Sequence, residues 1–95
     1  MKRDPVRLTH VDLVPGSARD VACGLLGYVT FVVGGLRVDG VTLRRTLCGR
    51  LTLGYPTKRY APESRYHVVR PVDDEARREV ERQVLEALGL EGEAA

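Results

Sequence analysis

The sequence predicts an α+β fold: an antiparallel sheet of four to five strands followed by one C-terminal helix. Two observations carry that expectation. Between residues 6 and 70, short stretches of alternating apolar residues are separated by turns rich in Gly and Pro, the pattern of half-buried strands. From residue 73 to residue 88 the apolar period lengthens to that of a helix, with Ala76, Val80, Val84 and Leu88 four apart. A chain of 95 residues has room for one domain and not for a second core. The domain is therefore taken to span 1–95, with a core over 6–89 and a flexible tail over 90–95.

The first strand is expected over Val6–Val14, where Val6, Leu8 and then Val11, Leu13 alternate with one slip near Thr9–His10. Pro15–Gly16 opens a turn through "PGSARD". The run "VACGLLGYVTFVVGGL" holds sixteen residues without a charge. It is too short for a membrane span of about 20 residues, is broken by glycine, and reads as a buried second strand. Gly34–Gly35 permits a tight hairpin into "LRVDGVTLRRT". The apolar phase of that third strand shifts between Val38 and Val41, which places a bulge or second turn at Asp39–Gly40. After "LCG" turns the chain, "RLTLGY" is a fourth strand with Leu51, Leu53 and Tyr55 on one face. A loop then leads to a short fifth strand, "RYHVVR", which stops at Pro71. The closing helix has Asp73 as N-cap, Asp74 and Glu75 at the positive end of its dipole, Leu85 and Ala87 widening its apolar stripe, and Gly89 as its stop.

Composition sets the function classes. At 43% hydrophobic and 29% charged, the chain is an ordinary globular one rather than a disordered one. A core this small is marginal by itself, so a homodimer is expected, with the long apolar second strand inviting a second copy. The N-terminus "MKRDPVRLTH" has no apolar stretch of the secretory kind. Cys23 and Cys48, 25 positions apart, then read as free thiols of a cytoplasmic protein. Net charge is only +2, yet it is polarised: residues 1–72 carry 12 Lys/Arg against 5 Asp/Glu, and residues 73–95 carry 3 against 8. From Arg44 to Arg70 there are seven basic residues and one acid, Glu63. A field of that shape steers polyanions to one face.

The basic loop, "GYPTKRYAPESRYH", holds the chemistry. Lys58, Arg59, Arg65 and Arg70 can neutralise phosphates, and Arg59 can make a bidentate contact with a guanine edge. Tyr60 and Tyr66 offer faces on which an unstacked base can lie. His67 joins that surround. Tyr55 offers a third ring face, but it shares the parity of Leu51 and Leu53, which favours a place in the core. Arg44, Arg45 and Arg50 either extend the basic face or lie on the other one. No enzyme is expected, because neither His10 nor His67 has a carboxylate neighbour to orient it and neither cysteine has a base. A zinc site from Cys23, Cys48, His10 and His67 lacks the usual ligand spacing. "GLLG" and "GG" are not phosphate loops, since no helix follows them. No cofactor, metal or small-molecule substrate is implied. The competing reading is a protein–protein interaction module whose basic loop is incidental.

At this loop the chain resembles a known family. "LTLGYPTKR", followed eight residues after the Arg by "VVRPVDDEARREVERQVLEAL", is similar to the SpoVG septation-regulator family of bacteria (stage V sporulation protein G-like). That family reads L-F-V-A-M-P-S-K-R, then eight residues, then I-A-H-P-I-N and a C-terminal helix. Pro56, Lys58 and Arg59 fall on its P-x-K-R, Pro71 on its second proline, and Asp73 on the Asn that caps the helix. "VRL" at 6–8 and "TLRRTLCGRL" lie on its first strand, third strand and hairpin. The resemblance implies a small homodimeric α+β regulator that binds DNA, and in some members RNA, through the Lys–Arg pair and the segment after it. This chain departs in that segment: "YAPESRYH" stands for T-P-D-G-E-F-R-D, His67 for an acid, and Arg70 for a His. Each change makes the region more basic or more aromatic.

Overall fold

Alternation of apolar residues builds the main sheet. The computed structural model of the protein describes residues 6–90, the side chain of Tyr60 excepted. In chain order the elements are β1 (Leu8–Pro15), α1 (Ala18–Ala22), β2 (Leu25–Val33), β3 (Leu36–Arg45), β4 (Leu51–Gly54), β5 (Thr57–Ala61), β6 (Ser64–His67) and α2 (Asp74–Leu88). Strands β1 to β4 form one antiparallel sheet in sequential order, and β5 and β6 a second sheet of two strands. The α+β class and the C-terminal helix are as the sequence predicts.

The irregularities fall where the apolar phase slips. In β1 the register shifts between Thr9 and Asp12, and His10 sits at φ 53°, a left-handed backbone unusual for a residue with a side chain. In β3, Thr30 of β2 faces both Asp39 and Gly40, and Gly40 takes φ 79°. That is the expected bulge. Gly34 and Gly35 both have positive φ, as a two-residue hairpin turn matched to the strand twist requires. Gly27 answers to close approach instead: a Cβ there would stand 2.4 Å from the carbonyl oxygen of Val14.

Two expectations need correction. "PGSARD" is not merely a turn, because Ser17 caps the short helix α1. Its hydroxyl accepts from the Asp20 amide while the Asp20 carboxylate accepts from the Ser17 amide, both at 3.1 Å. Val21 and Ala22 close that helix, so the second strand begins only at Leu25. Second, β2 is flanked by β1 and β3 along its length. It has no free edge with which to pair a second copy; among the described residues the free edges belong to β1 and β4.

Helix α2 covers one face of the sheet. Asp73 caps it, accepting from the Ala76 amide at 2.8 Å, an arrangement worth about 1 kcal/mol over alanine. At the other end Gly89 adopts φ 67°, and the Leu90 amide donates to the Leu85 carbonyl at 3.0 Å. Val80, Val84 and Leu85 pack onto Val29, Phe31, Val41, Leu43, Leu51 and Leu53, each fully buried aliphatic side chain contributing about 1.5–3 kcal/mol. Ala87 is exposed rather than part of the stripe. The Gln83 side-chain amide ties the helix to β1. It donates to the Val6 carbonyl at 2.7 Å and accepts from the Leu8 amide at 2.8 Å, as a neighbouring strand would. Of the tail expected over 90–95, Leu90 packs against the core, and residues 91–95 lie outside the described residues.

Candidate nucleic-acid interface

The basic loop is a ribbon. Strands β5 and β6 pair as Thr57 with His67, Lys58 with Tyr66, Arg59 with Arg65, and Ala61 with Ser64, with a shift of register between Arg59 and Ala61. The Val68 amide donates to the Pro56 carbonyl at 2.9 Å and continues the ladder to the base. Pro62 and Glu63 make the turn at the tip. The expected fifth strand over "RYHVVR" is thus shorter than predicted and belongs to this second sheet, since Val68 and Val69 form a bend. From Thr57 to Arg70 every described side chain is exposed. The ribbon therefore stands off the body.

Of the residues singled out, the ribbon brings together Lys58, Arg59, Arg65 and His67. The side chain of Tyr60 lies outside the described residues, though its backbone belongs to β5. Arg70 is elsewhere. It sits on the connection to α2, at an open cleft of about 220 Å³ whose other lining residues include Val6, Leu8, Phe31, Val69, Val72 and Val80. Arg44 and Arg45 end β3, and Arg50 closes the turn before β4, its amide donating to the Thr46 hydroxyl at 3.1 Å. They flank the end of β4 opposite the ribbon. Consecutive strand residues point to opposite faces, so Arg44 and Arg45 cannot share one.

The charges of the ribbon differ from those of the helix in their pairing. In α2, Arg77 reaches Asp74 at 3.7 Å and Glu81 at 2.7 Å, and Arg82 reaches both Glu79 and Glu86 at 2.7 Å. The Arg82 guanidinium holds the Glu79 carboxyl below its ordinary range through their hydrogen bond. Among the described residues, Lys58, Arg59 and Arg65 stand within ion-pair distance of no carboxylate. Three exposed cations without counter-charges and one acid at the tip make the ribbon a source of positive potential.

Where the ribbon joins the body, Tyr55 is half-buried against the core. Burial, then the charge of Glu81, push its phenol up to about 12, against a smaller opposing effect of Arg77. Its hydroxyl is enclosed without a hydrogen-bond partner among the described residues. Glu81 itself, 1% exposed, is a buried carboxylate that the apolar stripe does not announce. The signal for it is Arg77 four residues earlier, at the spacing of a helical ion pair.

The other reactive groups are scattered. Cys23 follows α1 and Cys48 lies in the β3–β4 turn, both exposed and free. Among the described residues, His10 hydrogen-bonds only the neighbouring Thr9 hydroxyl, at 3.1 Å. Among the described residues no helix is long and apolar enough to cross a membrane, and no group of three or more His, Cys, Asp or Glu side chains is gathered as a metal would need. Comparison with protein-family models, with curated proteins and with solved structures finds no match to this chain.

Proposed function

We propose that this is a cytoplasmic, non-enzymatic nucleic-acid-binding regulator of the SpoVG type, acting through the β5–β6 ribbon. The observation that carries the reading is the set of exposed cations, Lys58, Arg59 and Arg65, left without carboxylate partners among the described residues on an element whose described side chains contribute nothing to the core. Folding offers no reason to concentrate charge there. A phosphate backbone does, since each neutralised phosphate releases condensed counterions. His67 and Tyr60 belong to the same ribbon, and Arg70 adds a cation beyond its base. A homodimer would carry two ribbons about a two-fold axis and double the footprint. The uncovered face of the main sheet, with Val14 and Tyr28 exposed, offers a surface for it.

The test is a fluorescence-anisotropy titration of labelled duplex DNA and single-stranded RNA at two salt concentrations. Wild type should bind with a steep salt slope. The Lys58→Ala/Arg59→Ala variant should fold normally and bind duplex DNA with a slope shallower by about 0.9 for each phosphate it no longer neutralises. Absence of binding to either polymer at low salt sinks the reading.

A second reading has its own support. Val68, Val69 and Val72 are exposed beside the apolar cleft, and an apolar surface of that kind suits a protein partner. In that case the partner is held at the cleft, and charge on the ribbon is irrelevant to affinity. A salt-independent complex that survives the double alanine variant would favour it.

A further inference from the structure

We propose that the partner is B-form duplex DNA, and that the ribbon enters its major groove with the Arg59–Arg65 face toward the bases. This rests on the nucleic-acid reading above and sharpens it. Directly opposed residues of an antiparallel pair share a side, and successive residues alternate. Arg59 and Arg65 therefore project from one face together with Thr57 and His67, while Lys58 and Tyr66 project from the other. One side of the ribbon presents two guanidinium forks, an imidazole and a hydroxyl.

That face works against the fold. Like charges set directly opposite one another destabilise a strand pair, and a two-stranded ribbon is marginal by itself. Water and salt screen the exposed Arg59–Arg65 pair in part, and a partner that offers acceptors at the same spacing relieves it further. The major groove edge of guanine, with O6 and N7 side by side, is the acceptor pair that a guanidinium fork matches best. Phosphates also accept from a guanidinium fork, but they run along the groove walls, whereas two forks projecting from one face of an inserted ribbon point at its floor.

Shape separates the candidate polymers. Two strands about 4.8 Å apart, with their side chains, fit a major groove about 12 Å wide and 8.5 Å deep. The major groove of an A-form RNA helix is too deep and narrow for side chains to read. A single strand calls for aromatic platforms, yet among the described side chains the arginine face carries only His67, and Tyr66 lies on the opposite side with Lys58. The ribbon is held at one end, by Pro56 and Val68, and its Pro62–Glu63 tip is exposed. An element so held can lie along a groove without the body intruding.

The experiment compares four labelled probes of one mixed sequence, each about two helical turns long: duplex DNA, the same duplex with every guanine replaced by a deazaguanine carrying carbon in place of N7, the RNA duplex, and the single DNA strand. Wild type is measured beside the charge-preserving Arg59→Lys/Arg65→Lys variant. Wild type should prefer duplex DNA to both the RNA duplex and the single strand. It should lose affinity about fivefold or more on the deazaguanine duplex, the lower end of what one good bidentate pair contributes. The lysine variant should keep the salt slope and show a smaller deazaguanine effect, since an ammonium reaches the guanine edge without the planar fork. Indifference of wild type to the deazaguanine, or equal or tighter binding to RNA duplex or single strand, overturns the major-groove inference and leaves the nucleic-acid reading standing. Binding to none of the four at low salt overturns both.

Discussion

Helix α2 and the β5–β6 ribbon both carry arginines, and they use them in opposite ways. Arg77 and Arg82 are each held by two carboxylates of their own helix, one of them the buried Glu81. Arg59 and Arg65 face each other across a ribbon with no carboxylate within reach among the described residues. The first arrangement satisfies charge inside the molecule, the second leaves it to be satisfied from outside. A pair of matched substitutions tests the contrast. Arg77→Met should cost about 2–3 kcal/mol in urea unfolding, toward the low end for breaking a buried pair, because the Arg77 side chain is 35% exposed and water can partly replace it. Arg59→Met should change stability by no more than about 0.5 kcal/mol while weakening nucleic-acid binding. Equal stability losses in the two variants would erase the distinction between the regions.

The contrast also explains what could be read from the sequence. Periodicity reports burial. It therefore located α2, with its cap at Asp73 and stop at Gly89, and the bulges at Thr9–His10 and Asp39–Gly40. It could not see β5, and it found β6 only in part, as a strand over "RYHVVR", because their described side chains are exposed on both faces of the ribbon and no apolar alternation marks them. The residues of the candidate site were legible by chemistry, but their arrangement was not. Only the register sets Arg59 beside Arg65 and Lys58 behind them, and only the fold removes Arg70 to the cleft. The cleft and the tie made by Gln83 depend on contacts over more than 70 positions of sequence, such as Gln83 with Val6 and Leu8, which no local pattern contains. Helix α1 was signalled by Ser17 and Asp20 at capping-box spacing, but the uncharged run beginning at Val21 masked its end.

Gln83 sharpens the comparison from the side of the body. Its amide completes the edge of β1 with two hydrogen bonds, in a region where the ribbon plays no part. Gln83→Ala should cost about 1–2 kcal/mol, since two backbone groups are deprived of a partner but lie close enough to solvent to regain water. Amide exchange should accelerate at Leu8 first, with the β5–β6 amides unchanged. Faster exchange in the ribbon as well would mean that body and ribbon are coupled more tightly than their separate packing implies.

Tyr55 stands at the junction of the two regions and gives the smallest effect. Its phenol titrates at about 12 in the folded protein against an ordinary 10.0. Below pH 10 both folded and unfolded chains hold the proton, and this contribution to stability is complete. As pH rises from about 10 to 12 the unfolded chain ionises first, so the contribution is lost through that window. Tyr55→Phe should flatten the alkaline loss. At neutral pH it should leave stability unchanged or raise it by up to about 1 kcal/mol, because the hydroxyl it removes is enclosed without a partner among the described residues. Denaturant melts of both proteins at pH 7 and pH 11 decide the matter. A loss of more than about 1 kcal/mol in the Phe variant at pH 7, the typical worth of one hydrogen bond, would show that the hydroxyl is bonded in solution. The base of the ribbon would then be fastened to the body by a polar contact as well as by the packing of the ring.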